Sequence, residues 1–135
     1  MFYISDDEQK MAPESVKLLI EQTYWASKRP LDVIAKSIEN SVCFGAFDSQ
    51  SDELIGFARV VSDFCTCFYL CDVIVDERHR AGGVGKALIS AITSDKRFDG
   101  LEGLLITRDA HGLYSQYGFE SKEEIFMGRG LNSSL

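Results

Sequence analysis

Val73-Ile-Val-Asp-Glu-Arg-His-Arg-Ala-Gly-Gly-Val-Gly-Lys-Ala-Leu-Ile-Ser-Ala-Ile92 passes from an apolar strand, through a loop rich in glycine and positive charge, into an apolar-periodic helix. Val84, Leu88, Ile89 and Ile92 recur at helical spacing, so a helix is predicted from just after the glycines to about Ser94. The start of a helix already carries partial positive charge from the backbone dipole, and Asp or Glu is favoured there. Arg78, His79, Arg80 and Lys86 crowd that end instead, in a chain of formal net charge −7. The pattern asks for an anion that the chain does not itself supply. Gly82, Gly83 and Gly85 leave backbone N–H groups open to a ligand with no Cβ in the way, which in principle makes an anion cradle.

The rest of the chain sets the context of that loop. Its 135 residues, 45% hydrophobic and 26% charged, with 11 Gly and 2 Pro, are expected to form one globular domain, 1–135, around a single core. No apolar run approaches the roughly 20 residues that a membrane helix needs. No basic stretch precedes an apolar one at the N-terminus, so a cytoplasmic location and no membrane partner are expected. The acidic balance argues against nucleic acid, whose binding requires a spread basic surface. Cys43, Cys65, Cys67 and Cys71 lack the paired C-x2-C spacing of a zinc site, have no nearby histidine, and read as structural thiols with no metal.

Along the chain, Phe2 to Ile4 reads as a short opening strand and Pro13 as the first turn of a helix reaching about Ala26. A second helix is predicted over Leu31 to Glu39, ending at Asn40. Val42 to Phe47 and Leu54 to Val61 form an expected antiparallel pair around the turn formers of 48–52. Phe68 to Val75 is nearly continuous in apolar character, as in a strand covered on both faces, and Asp72 interrupts it. A buried strand over Leu104 to Thr107, a short helix over Asp109 to Tyr117 closed by Gly118, and extended segments over Phe119 to Glu124 and Ile125 to Met127 complete the order. The class is α/β (α+β), a mixed sheet with about four helices.

Two phosphate-binding loops can be tested by spacing. A P-loop requires G-x4-G-K-[ST], whereas Arg80 lies five before Gly85 and Ala87 follows Lys86; a dinucleotide loop requires G-x-G-x2-G, whereas Leu88 follows Gly83 and Gly85 at the third glycine position. Both fail. Arg80, Gly83 and Gly85 fit R-x-x-G-x-G, and Leu113-Tyr-Ser-Gln-Tyr-Gly-Phe119 fits lYxxxGF. Together with the element order, these motifs make the chain resemble the GNAT superfamily of N-acetyltransferases over essentially its whole length. The segment Thr107-Arg-Asp-Ala-His-Gly-Leu-Tyr114 is similar to stretches in bacterial members without an assigned substrate.

The resemblance implies a GNAT fold, with the central sheet splayed at the cofactor site, and acetyl-CoA (coenzyme A) as cosubstrate. The backbone of Ala81, Gly82, Gly83, Val84, Gly85 and Lys86 would hold the pyrophosphate. Arg80, with Arg78 or Lys86, would add charge-assisted contacts. Val73, Ile74 and Val75 would pair with the pantetheine arm as an extra strand would. Tyr114 sits at the position whose phenol shares its proton with the leaving thiolate.

The general base is open from the residues: Asp72 is the one carboxylate in the buried strand, and pairing with Arg59 or Arg108 competes with a role toward the amine. Thr107 stands where many relatives have Asn seven residues before the signature tyrosine. His111 reads as a surface or helix-capping residue or a proton shuttle. Trp25, Lys28, Arg29, Arg59 and Asp63 are candidates for the acceptor side, with mixed signs that do not choose among a polyamine, an amino sugar, an amino acid or a protein amine. The expected activity is transfer of acetyl to a primary amine, small molecule or peptide, by direct attack in a ternary complex. A non-catalytic CoA-binding regulatory module is the alternative. A homodimer is compatible with an exposed edge strand near the C-terminus.

Overall fold

In the computed structural model, which describes residues 1–131, one mixed sheet carries the chain in the order β1-β2-β3-β4-β5. The strands are β1 (Phe2–Ser5), β2 (Val42–Asp48), β3 (Leu54–Ser62), β4 (Cys67–Val75) and β5 (Glu102–Leu105). The helices are α1 (Pro13–Ile20), α2 (Leu31–Glu39), α3 (Val84–Thr93) and α4 (His111–Ser115). β1 to β4 pair antiparallel with their neighbours, and β5 lies parallel to β4, which requires the crossover that α3 supplies.

Each face of the sheet is closed by apolar helical stripes, of which that of α3 was legible as helical periodicity. Val84, Leu88, Ile89 and Ile92 of α3 pack with Phe44, Val60, Phe68 and Leu70 on one face. Val16, Leu19 and Ile20 of α1 and Ile34 and Ile38 of α2 pack with Phe47, Phe57 and Ile74 on the other. Full burial of one such side chain stabilises by about 1.5–3 kcal/mol. With three of its four stripe residues sealed completely, α3 holds the glycine loop in one place at the end of β4. Leu88→Ala would loosen that anchorage at a cost of about 2–5 kcal/mol.

Several boundaries differ from the predicted ones. α1 stops at Ile20, not Ala26, because Thr23 turns the chain: its hydroxyl donates to the Ile20 carbonyl at 2.8 Å and accepts from the Ala26 amide at 3.1 Å. β4 alternates in burial, with Tyr69 exposed between Phe68 and Leu70, so its apolar run belongs to an unequally covered strand. β5 begins two residues early and is half exposed, with Leu104 in solvent. α4 is one short helix of five residues. The extended segments predicted over Phe119 to Met127 form no strand among the described residues. Glu120, Lys122, Glu123 and Glu124 put four charges into five positions there, a composition poor in strand formers, and Ile125, Phe126 and Met127 remain exposed. Among the described residues β5 is therefore one edge of the sheet, with β1 the other.

Candidate functional site

The glycine loop leaves β4 through a single turn of 3-10 helix, Glu77–His79, whose N-cap Asp76 is buried. The Asp76 carboxylate accepts from the Arg78 amide at 2.9 Å and from its guanidinium at 3.0 Å, and Glu53 takes the same guanidinium at 2.6 Å. Arg78 is thus committed to two carboxylates, and Arg80 and Lys86 remain as the loop's available cations. Arg80 Nε donates to the Val75 carbonyl at 3.2 Å, and Lys86 is exposed.

Ala81 and Gly83 have φ of +67° and +84°, the left-handed region that disfavours side chains. These two residues fold the chain back so that α3 starts with its axis pointing at the loop. Gly83 is the N-cap and offers no side-chain acceptor; no acid stands in the first turn. The Ala87 amide is the one that reaches back to the Gly83 carbonyl, at 3.0 Å. The amides of residues 83–86 precede that first helical bond and face the loop, as at every uncapped helix start.

The loop glycines differ in kind from those of the sheet. A Cβ on Gly56 would meet Val84 at 2.8 Å, and one on Gly103 would meet Phe68 at 2.6 Å, so packing within the chain forbids them. A Cβ on Gly82 has its nearest neighbour at 3.5 Å, on Gly85 at 3.7 Å, and on Gly83 none within 4 Å. The protein itself does not need that space. A pyrophosphate laid on the amides would need it, so the residues present fit the group. Val84 would offer such a group its amide alone, because its side chain is buried under the sheet.

A gap runs from this loop along β4. The β4–β5 ladder extends from Cys67↔Glu102 to Leu70↔Leu105 and no further. The Asp76 amide donates to Ile55 in β3 at 2.8 Å. By the alternation of a strand, the polar backbone of Val75 and Val73 therefore points away from β3, toward the gap. Ile74 faces β3, where it pairs with Phe57. Of the three predicted strand residues, two present their backbone to the opening.

The same strand carries a feature that the sequence concealed. Between the pairs Phe57↔Ile74 and Arg59↔Cys71, β4 spends one residue more than β3, which is a β-bulge. Asp72 sits in it with φ of +52°. Its phase reversal is visible in the packing: Phe68 and Leu70 face α3 before it, and Val73 and Val75 do so after it. The bulge turns the Asp72 side chain to the α1–α2 face, where Arg29 Nη1 donates to its Oδ2 at 2.7 Å and Arg59 Nε to the same oxygen at 2.9 Å. Burial raises the carboxyl's pKa, and the hydrogen bonds and charges of the two arginines outweigh that, leaving it below the usual range. The pairing with Arg59 was among those anticipated; Arg29, not Arg108, supplies the second guanidinium. No periodicity could have revealed it, since Arg29 lies 43 residues away in an irregular loop.

Across the gap, Thr107 accepts from the Ala110 amide at 3.0 Å and starts the turn into α4. His111 is exposed at the first position of that helix. Tyr114 is buried against Phe119, with ring centroids 6.0 Å apart. No buried side-chain polar atom among the described residues lacks a partner, and the Tyr114 hydroxyl has none, so it must reach solvent. Burial, with Asp109 adding to it, pushes the Tyr114 phenol up to about 12. Tyr117 donates to the Lys86 carbonyl at 3.2 Å, tying α4 to the first turn of α3.

The Arg108 guanidinium stands 5.5 Å from the Tyr24 ring, and Tyr24 meets Trp25 edge to face. This contact ties the β5–α4 loop to the α1–α2 loop. Asp63 lies elsewhere, at the β3–β4 hairpin, where it accepts from Thr66 and Cys65. A depression of about 380 Å³ between α1 and the β2–β3 hairpin is lined by Leu18, Gln22, Glu53 and Arg78. Both of its lining cations are paired, Arg78 with Glu53 and Asp76 and Lys10 with Asp52, and the candidate site is the gap with its loop.

Comparison with known proteins agrees with this geometry. Residues 39–121 match the family model described as the acetyltransferase (GNAT) domain. A structure from Xanthomonas campestris pv. campestris, described as belonging to the GNAT family, superimposes with a TM-score of 0.88 at 36% identity over 96% of this chain and 92% of its own. A Staphylococcus aureus protein of unknown function shares the fold at 22% identity and a TM-score of 0.82, over 98% of this chain and 99% of its own. The histone acetyltransferase TAP1 of Glycine max is 29% identical over 84% of this chain but only 54% of its own length. This chain spans about half to three-fifths of the curated relatives it matches. No described helix is long and apolar enough to cross a membrane. The family typically uses acetyl-CoA as donor, and its model covers β2 to β5, the glycine loop and the α4 signature together: this chain belongs to the GNAT acetyltransferase superfamily.

Proposed function

We propose that the protein transfers an acetyl group from acetyl-CoA to a primary amine by direct attack in a ternary complex. The observation that carries this reading is the loop whose glycines have room within the chain for a side chain, at the uncapped start of α3, opening onto the unpaired length of β4. Amides 83–86, with Arg80 and Lys86, hold the pyrophosphate, and Val73 and Val75 pair with the amide-bearing arm. The bulge takes backbone near Asp72 out of the β3 ladder and so frees a donor for the thioester oxygen.

Tyr114 donates a hydrogen bond to the departing sulfur. With its phenol near 12 and an ordinary thiol near 8.5, complete transfer would be uphill by about 5 kcal/mol. The tyrosine therefore keeps its proton and stabilises the thiolate by sharing it. Asp72 is too strongly held in its ionised form to serve as the base. Its role is to fix Arg29 and Arg59; the amine attacks in the fraction already neutral, the C–S bond breaks as the C–N bond forms, and the proton lost by the nitrogen goes to solvent or to the departed thiolate, which leaves as the free thiol.

Thiol release from acetyl-CoA across an amine panel, for wild type and Tyr114→Phe, tests this. The variant is expected to lose on the order of 100-fold in kcat with CoA affinity unchanged. Acetyl-CoA binding without thiol release for any amine would favour the non-catalytic module instead. Failure of the wild type to bind acetyl-CoA would remove both.

A further inference from the structure

The geometry points to an acceptor amine that itself carries an anionic group, a carboxylate or phosphomonoester, seated on Arg29 and Arg59 at the β4 bulge. This rests on the transferase reading and deepens it by naming the substrate class.

Two guanidiniums converge on one oxygen of one carboxylate, so the cluster carries a surplus positive charge. The layering decides which sign the cleft presents. The Asp72 side chain is only 4% exposed, whereas those of Arg29 and Arg59 are 23% and 17% exposed. The negative charge lies beneath and the positive charge faces out. Among the groups that act most strongly on Arg59, Asp72 is the only carboxylate. Ser41 takes Arg59 Nη1 at 3.1 Å, and Nε is committed to Asp72, which holds the guanidinium plane in one orientation.

Such a fixed fork, with donors to spare, suits bidentate recognition of a planar or tetrahedral oxyanion. Half-buried Cys71, the cross-strand partner of Arg59, and exposed Tyr69 lie beside it on β4 and add no negative charge at neutral pH, because burial pushes the Cys71 thiol up to about 11 and raises Tyr69 as well. Lys28 is exposed in the loop that carries Arg29. A polycation would be repelled here. An ammonium group near the cluster is destabilised relative to the neutral amine, which assists attack in a site whose one buried carboxylate is no base.

Calorimetric titration into CoA-saturated protein, paired with thiol release from acetyl-CoA, tests the assignment with matched amines: β-alanine against β-alaninamide, O-phosphoethanolamine against ethanolamine, and spermidine. At least tenfold preference in both affinity and kcat/KM is expected for the anionic member of one pair, and which pair responds identifies carboxylate or phosphate. Arg29→Lys is expected to reduce that preference at least fivefold while leaving CoA affinity unchanged, and it keeps the charge that Asp72 needs. Preference for spermidine, or equal response within both pairs, would overturn the proposal even if thiol release proves the transferase. If no amine releases thiol, selective binding of the anionic member still supports the anion seat, and absence of such binding overturns it.

Discussion

The chain gathers arginines at two places near β4 and treats them in opposite ways. At the bulge, Arg29 and Arg59 are given a buried carboxylate, and the charges are held in place by it. At the glycine loop, Arg78 is neutralised by Asp76 and Glu53, but Arg80, Lys86 and the bare amides of α3 receive no anion from the described residues. The first arrangement contains its own buried counter-charge, so removing that carboxylate should be read first in stability. The second is open, so disturbing it should be read in ligand affinity. The contrast separates cations braced by a buried carboxylate of the chain from cations and amides that have none beneath them.

Gly85→Asp should give the largest effect. Its Cβ has room, and an acid in the first turn of a helix stabilises it by about 0.3–1 kcal/mol. The free protein is therefore expected to unfold at equal or slightly higher urea concentration, while CoA affinity, measured by calorimetry, falls about 1,000-fold, or about 4 kcal/mol. Asp72→Asn is expected to do the reverse. Removing the charge from a buried pair costs about 3 kcal/mol, visible as a lower urea midpoint, with CoA affinity in the surviving folded fraction little changed. Gly56→Ala sharpens the distinction between glycines: its Cβ would strike Val84, and overpacking of about 1–3 kcal/mol is expected, without the affinity loss of Gly85→Asp.

The smallest effect is a pH dependence. Because the Asp72 pKa is depressed in the fold, its contribution is fully present above the unfolded value, near 3.9, and is lost as pH falls through the folded one. Urea midpoints between pH 5 and pH 2.5 should therefore fall less steeply for Asp72→Asn than for wild type.

What the sequence disclosed and what it hid follow the same division. The loop was legible because its chemistry is local: three glycines and the cations lie within nine residues, and the α3 stripe repeats at helical spacing. Tyr114 was legible through the seven-residue signature that ends at Phe119. The bulge was not, because Phe68 to Val75 is apolar on both faces and a reversal of phase leaves no trace in such a run. The partner of Asp72 was hidden by sequence distance, and α1 was read too long because Tyr24 continues its apolar spacing although Thr23 has already turned the chain. The C-terminal extended segments were misread from their apolar ends alone, across a stretch of four charges that no neighbouring strand supports.

The central claim is that amides at the head of α3 and along the open edge of β4 are the donors that hold CoA. Amide hydrogen exchange with and without acetyl-CoA measures it directly. Protection is expected in peptides covering residues 73–75 and 81–86, with little change in β1 and β2. Unchanged exchange at 81–86 under saturating acetyl-CoA, or protection centred on another part of the sheet, would contradict the account.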